Sequence, residues 1–326
     1  MKIIEPSIEI MRSGLEVNFM TPEQFIERVG RTCYKSEDKI TETSAKKFVG
    51  NLIKRGHEAM IEHWTLIFQA ATPGIYELIQ LDLRRFTEDT TLNLDHRNPH
   101  LRFTCENYAS KKRPIISGNI RAWRDFAHLA FQGYGMVPPY LWCVLKSNPT
   151  FFPEYQEFVE GVIDVASLIP LSVYDLQGHK EHSVHHDVTV KFTTDRGVSH
   201  EIVRHREASY AQESTRYCNY GLDKFGGEIA VIKPAWMEDL DTVWVNGCID
   251  AERQYFTMIH KGATPQEARA VLPNSLKTEV IMTANLGEWD HVFGLRCAPD
   301  AHPDIQQVMK LTRDEFHTLF PERYEV

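Results

Sequence analysis

The sequence lacks most of the features that would assign a chain quickly. It has no uninterrupted run of about 18 apolar residues, which excludes a helical membrane span. Its six cysteines, Cys33, Cys105, Cys143, Cys218, Cys248 and Cys297, never fall in a C-x-x-C pair. A zinc ribbon is therefore not indicated, and reduced thiols without disulfides are expected. No G-x-G-x-x-G and no phosphate-binding loop with Lys occurs, which removes a Rossmann domain and a nucleotide-hydrolysing domain. Internal repeats and low-complexity segments are missing as well. Positive charge is in deficit, 36 Lys and Arg against 45 Asp and Glu for a net −9, which opposes coating of a nucleic-acid backbone. The opening Met1-Lys2-Ile3-Ile4-Glu5-Pro6 has neither the basic start nor the apolar core of a signal peptide, so a cytoplasmic protein is expected.

What is present is the composition of an ordinary globular protein of 326 residues, enough for one large or two ordinary domains. Residues 2–11 read as a strand broken at Pro6. Thr21-Pro22-Glu23-Gln24 is a capping box opening a helix with Phe25, Ile26 and Val29 on its apolar face. A second helix from Thr43 or Ser44 turns Phe48, Val49, Leu52 and Ile53 inward and stops at Gly56, before the strand Thr65–Phe68. Helices are expected over Thr72–Leu83, after the cap Ser117-Gly118-Asn119, and over Glu154–Leu168, where Phe158, Val162 and Val165 have helical spacing. Thr87–Pro114 reads as polar and irregular, and Gly133–Pro153 as an irregular packed excursion. Beyond them, strands are expected around Val188–Phe192, at Tyr217–Tyr220, at Glu228–Ile232 and at Leu276–Ala284. Helices should run over Leu240–His260, from a second capping box at Thr264, from Asn285, and through Ile305–Met309. The alternation points to an α/β or α+β architecture with strands distant in sequence pairing in one sheet.

Three stretches carry chemistry. Arg204 to Tyr217 packs three guanidiniums, an imidazole, hydroxyls and two phenols into fourteen residues. Arg forks match phosphate or carboxylate edges, so the stretch reads as a site for a small phosphorylated ligand, with a solvated basic patch as the bland alternative. Gly56 to His63 is a polar loop before a strand, where His57, Glu62 and His63 suit hydrogen bonding or ligand positioning better than a metal. His179 to His186 holds four imidazoles in eight residues. That stretch is not H-E-x-x-H, no thiolate accompanies it, and a polar linker is favoured over a metal site.

Arg204-His205-Arg206, seven residues, Ser214, and then Arg216-Tyr217 resembles the signature of flavin-dependent thymidylate synthases. Gly56-His57-Glu58 to Glu62-His63 is similar to that family's upstream histidine loop. Asn285 to Arg296, followed by Ala301-His302-Pro303-Asp304-Ile305-Gln306, is similar to its C-terminal block. The resemblance implies one domain over residues 1–326 with the thymidylate synthase-complementing protein fold, a mostly antiparallel central sheet with flanking helices. Residues from about 88 to 187 would then be an enlarged helical insertion.

It also implies reductive methylation of dUMP to dTMP, with FAD as cofactor and 5,10-methylenetetrahydrofolate and NADPH as co-substrates. Assembly would be a homotetramer with shared sites, with no nucleic-acid partner, no membrane and no metal. By the same resemblance Arg204, His205, Arg206, His57, Glu62, Asn285 and His291 would hold FAD. Glu201, Gln212, Ser214, Arg216, Arg269 and Arg296 would hold dUMP. Arg296, His57 and Ser214 are the catalytic candidates: Arg296 would stabilise charge developing on the pyrimidine, while Ser214 reads first as a phosphate-binding residue and second as a nucleophile. The chain departs from the pattern at Cys33, Glu201, Ala211, Gln212 and Gly287, and a carboxylate at Glu201 beside a phosphate would repel it. The competing classes are a metal-dependent hydrolase built on His179–His186 and a protein binding single-stranded nucleic acid.

Overall fold

The structure is a computed structural model that describes residues 1–15, 20–88, 101–104, 114–161, 167–176, 180–222, 226–239 and 241–324. Its strands are β1 (Lys2–Ile4), β2 (Ser7–Arg12), β3 (Thr65–Ala70), β4 (Leu101–Thr104), β5 (Ile115–Asn119), β6 (Leu168–Leu171), β7 (Asp187–Asp195), β8 (Ser209–Gln212), β9 (Ala230–Ile232) and β10 (Lys277–Asn285). Its helices are α1 (Pro22–Tyr34), α2 (Ser44–Lys54), α3 (Pro73–Glu88), α4 (Ile120–Tyr134), α5 (Trp142–Ser147), α6 (Gln156–Val159), α7 (Arg196–Ile202), α8 (Thr242–His260), α9 (Pro265–Ala268), α10 (Leu286–Arg296), α11 (Pro303–Leu319) and α12 (Pro321–Tyr324). Among the described residues no helix is long and apolar enough to cross a membrane. Cys33, Cys143, Cys218, Cys248 and Cys297 are thiols, and Cys105 lies outside the described residues.

The chain divides into two compact units. The first comprises Met1–Ser13, Arg28–Lys39 and Val188–Val326. It contains a four-stranded sheet in the order β2-β7-β10-β8 and a parallel ribbon of β1 and β9. β2 runs antiparallel to β7, and β8 antiparallel to β10 with Ser209 opposite Thr283 and Gln212 opposite Val280. The core packs Val188, Val190 and Phe192 of β7 and Val280 and Met282 of β10 against Trp289, Phe293 and Phe316. α10 starts where the sequence places it, because the Asn285 side chain accepts the Glu288 amide N–H at 3.0 Å and caps the helix.

The second unit comprises Gly14–Glu27 and Ile40–Asp187. Its sheet, in the order β4-β5-β3-β6, is antiparallel throughout and buries Phe68 and Ile116 against Trp123 and Phe126 of α4. The expected capping box forms, with Gln24 Oε1 accepting the Thr21 N–H at 2.9 Å and Thr21 Oγ1 accepting that of Gln24 at 3.3 Å.

Four expectations are corrected. The strands do not join one sheet, because each four-stranded sheet is covered by its own helices and buries its own core. The 88–187 stretch is not simply helical, since it supplies β4, β5 and β6. Within the expected helix over Glu154–Leu168 the described residues form a single α-helical turn, α6, while Val162 and Val165 lie outside the described residues. Gly161 takes φ 73°, a left-handed conformation that ends a helix, and Phe158, expected inside, is 49 % exposed. Tyr217–Tyr220 is a turn rather than a strand, because the Ser214 carbonyl accepts the amides of Tyr217 and Cys218, each at 3.0 Å.

The histidine-rich stretch also differs from a polar linker. His179 lies outside the described residues, while Lys180–His185 form a short 3-10 helix. His185 is fully buried with Nδ1 2.7 Å from Ser117 Oγ.

Candidate functional site

α7 begins at Asp195, whose carboxylate accepts the Val198 N–H at 2.8 Å, and ends just after Glu201. The chain then turns through Val203–Glu207 and enters β8. The Tyr210 hydroxyl on β8 sits 2.9 Å from the Ile202 carbonyl and 2.7 Å from that of His205, which clamps the turn. The turn leaves Arg204 and Arg206 exposed and His205 buried between them.

α10 meets this turn from the other side. Arg296, in its last turn, donates from Nε to His205 Nε2 at 3.1 Å, from Nη1 to the Glu201 carboxylate at 2.8 Å, and from Nη2 to the Glu201 carbonyl at 3.2 Å. Three of its five guanidinium N–H groups are thereby engaged, and two remain for a ligand. Glu201 therefore faces a cation, which answers the repulsion expected of it next to a phosphate. His205 Nδ1 lies 3.7 Å from Glu288 Oε1, and the His291 ring meets the His205 ring edge-on at 6.0 Å.

Because Nε2 accepts from Arg296, the imidazole proton resides on Nδ1, facing Glu288. Burial, then the charge of Arg296, then His291, bring the His205 pKa from its usual 6.5 down to about 4. His205 is thus a neutral hydrogen-bonding hub rather than a third cation of the Arg-His-Arg motif. His205, Glu288 and His291 do hold three potential ligand atoms within 4.8 Å of one another. A metal ion there would have to strip the Nδ1 proton or release Arg296, beside a guanidinium that repels it.

The depressed pKa sets a pH dependence. Below its usual 6.5 the unfolded chain binds a proton that folded His205 refuses, so this contribution to stability is complete above 6.5 and is lost as pH falls toward about 4. Urea unfolding at about pH 7 and about pH 5 should show wild type losing roughly 2 kcal/mol more than His205→Gln, which has no imidazole to titrate.

Beyond β8 the second half of the motif folds differently. Between the two Arg groups the structure has a strand, with Ser209 and Ala211 buried and Tyr210 and Gln212 half-buried in alternation. Four strand residues rise roughly 13 Å, which carries Ser214 away from His205. The Ser214 hydroxyl accepts the Arg216 N–H at 3.3 Å.

Arg216 Nε donates to Gln266 Oε1 at 3.2 Å, and Arg269 Nη1 reaches Thr215 Oγ1 at 3.4 Å. The capping box of Thr264 and Glu267 fixes the start of α9 and with it Arg269 just beyond. Ser214, Arg216 and Arg269 thus gather on one loop cluster within a single chain. Gln212 is committed elsewhere, donating to Ser199 Oγ at 3.0 Å and Thr278 Oγ1 at 3.2 Å.

His57 and Glu62 belong to the second unit. His57 is exposed at the start of the Glu58–His63 turn, and Glu62 is ion-paired to Arg121 of α4 at 2.5 Å. Asn285 is buried, with its Oδ1 occupied as the α10 cap.

Sequence reasoning missed Glu288, Thr215, Gln266 and Arg121. Only Glu288 had a signal, since Glu288 and His291 stand three apart on one helix face.

The fold is thus mixed helix and sheet with two antiparallel four-stranded sheets, and arginine side chains gather at both ends of the short strand β8. The sequence matches the thymidylate synthase complementing protein family over residues 17–75 and 168–322, and the chain belongs to that family. It is 34 % identical over 131 residues to the flavin-dependent thymidylate synthase of Geobacter sulfurreducens, covering 38 % of this chain and 55 % of the relative. It is 33 % identical over 137 residues to the enzyme of that name from Pyrococcus furiosus, covering 40 % and 55 %. With the Sulfolobus acidocaldarius protein of the same name, the identity is 32 % over 132 residues, 40 % of this chain and 49 % of the relative. The matched region thus spans about half the length of these curated relatives.

Proposed function

We propose that this protein is a flavin-dependent thymidylate synthase, converting dUMP to dTMP with 5,10-methylenetetrahydrofolate as one-carbon donor and NADPH as reductant. The observation that carries the reading is the pair of anion sites on the two ends of β8: Arg204–Arg206 with α10 at one, Ser214–Arg216 with Arg269 at the other. A dinucleotide pyrophosphate and a nucleotide phosphate need two such sites when no phosphate-binding loop is present.

The donor set fits FAD. Exposed Arg204 and Arg206 would hold its pyrophosphate, while His205 offers a neutral N–H donor, beside His291 and Asn285. When bound, FAD supplies the hydride chemistry, and the protein's share is orientation and electrostatics. Ser214, Arg216 and Arg269 would take the dUMP phosphate. The two remaining N–H groups of Arg296 would meet a pyrimidine carbonyl and stabilise negative charge as it develops. His57 and Glu62 are kept as cofactor-side candidates of the second unit, the Glu62 carboxylate being charge-balanced by Arg121. A cytoplasmic homotetramer completes the proposal.

The metal-hydrolase reading loses its support where His185 is buried against Ser117, and the nucleic-acid reading is opposed by the net charge of −9.

The decisive experiment is an anaerobic assay of the purified chain. Flavin reduced by NADPH should reoxidise on adding dUMP and methylenetetrahydrofolate, with dTMP as product. Flavin-free protein with stoichiometric zinc or iron would overturn the proposal. Arg216→Ala should weaken dUMP binding by about 10- to 100-fold in calorimetry, as loss of a charge-assisted contact does, with flavin retained. Flavin loss in its place would mean that the two anion sites are exchanged.

A further inference from the structure

A group of four charged side chains lies behind the Ser214–Arg216 loop, and nothing in the proposed chemistry uses it. Lys277 Nζ on β10 is 2.8 Å from the Glu213 carboxylate and 2.8 Å from Glu279 Oε1, and Lys35 Nζ pairs with the same Glu279 oxygen. Their side chains are 17 %, 2 %, 14 % and 18 % exposed for Lys277, Glu213, Glu279 and Lys35. Two positive and two negative charges alternate, and the more exposed Glu37 approaches Lys35 Nζ from outside at 3.9 Å. Burial would raise the Glu279 pKa, but Lys277 and Lys35 overrule it and hold the carboxylate at about 2.

Replacing buried ion pairs with apolar residues is often neutral or stabilising, so such a group is weak evidence for a role in stability alone. The backbone around it points to another role. Glu213 donates its N–H to the Glu279 carbonyl at 2.8 Å, which prolongs the pairing of β8 with β10 by one residue. The next residue, Ser214, donates its N–H to the Cys33 carbonyl at 3.1 Å. Two residues past Cys33, Lys35 sits at φ 48°, the one non-glycine residue with positive φ among the described residues. A lysine in that conformation is strained, and here it delivers its ammonium to Glu279 while the backbone beside it holds Ser214.

We propose that Lys35, Glu279, Lys277 and Glu213 are positioning residues for the phosphate-binding loop, locking β8, β10 and the C-terminal end of α1 at Cys33–Lys35 together so that Ser214 and Arg216 face the ligand in one arrangement. This rests on the reading of that loop as the dUMP phosphate site.

The test uses the flavin-loaded full chain and three variants. Lys35→Asn removes the ammonium while keeping a residue that tolerates positive φ. Lys277→Arg retains the charge, and the double variant Glu213→Gln with Lys277→Met removes the central pair without leaving a lone buried charge. Calorimetry with dUMP and with inorganic phosphate, steady-state kinetics and flavin content are measured on each. Lys35→Asn and the double variant should raise KM and Kd for dUMP about tenfold or more, weaken phosphate in parallel, lower kcat far less, and keep their flavin. Lys277→Arg should recover most of the affinity. Unchanged dUMP affinity in the folded double variant would overturn the proposal, as would flavin loss in step with the loss of dUMP. Failure of the wild-type chain to bind dUMP at all would instead sink the functional reading, and that control is run first.

Discussion

Replacing Arg296 with alanine is expected to slow dTMP formation by about 10²- to 10³-fold, the usual consequence of removing one preorganised donor aimed at developing charge. The effect should fall on the chemical step, visible as slower flavin reoxidation in single turnover, with dUMP affinity changed much less. Lysine should not rescue it. The guanidinium reaches His205 Nε2, the Glu201 carboxylate and the Glu201 carbonyl in three directions, and an ammonium can meet only some of them from one point. The loss also reaches His205. Without Arg296 its Nε2 has no donor to fix the tautomer, and one of the charges depressing its pKa is gone, so imidazole nitrogen shifts should titrate higher than the wild-type value of about 4. Stability should change little, because the Glu201 side chain is 34 % exposed and water can solvate the carboxylate left behind.

What the sequence disclosed of this arrangement was its local part. Thr21 with Gln24, Asn285 ahead of α10, and Thr264 with Glu267 are caps written within four residues, and all three form. The Arg-His-Arg and Ser-x-Arg-Tyr groups are likewise contiguous. What stayed hidden depends on partners far along the chain. Arg296 meets Glu201 across 95 positions, and His185 meets Ser117 across 68. β8 escaped notice because Ser209 and Gln212 make a short strand look like part of a polar loop, and only pairing with β10 makes it a strand. The same non-locality concealed the role of His205. A motif read as Arg-His-Arg suggests three cations, whereas burial and a distant guanidinium leave the middle residue neutral. Phe158 failed in the opposite sense, since its spacing is helical but α6 closes at Val159, where Glu160 turns extended, and the ring is left 49 % exposed.

Trp289→Ala is expected to cost about 3–5 kcal/mol in urea unfolding, the range for emptying a large aromatic site in a packed core. The ring is fully buried, stacks on Phe293 at 5.6 Å between centroids, and meets Phe316 edge-on at 5.2 Å. Its Nε1 donates to the Val188 carbonyl at 3.2 Å, so alanine leaves a buried acceptor without that donor as well as a cavity, and the upper part of the range is expected. Trp289→Phe keeps most of the volume and loses the N–H, and should cost roughly 1–2 kcal/mol. The consequence for function follows from where Trp289 stands on α10. Glu288 precedes it, His291 is two residues on, and Arg296 is two turns further along the same helix. Anchoring Trp289 to β7 through Val188 is what holds that helix against the turn carrying His205. Activity in Trp289→Ala should therefore decline below the temperature of global unfolding, as α10 loosens. Stability and turnover would fall together there, whereas in Arg296→Ala turnover should fall with stability nearly intact.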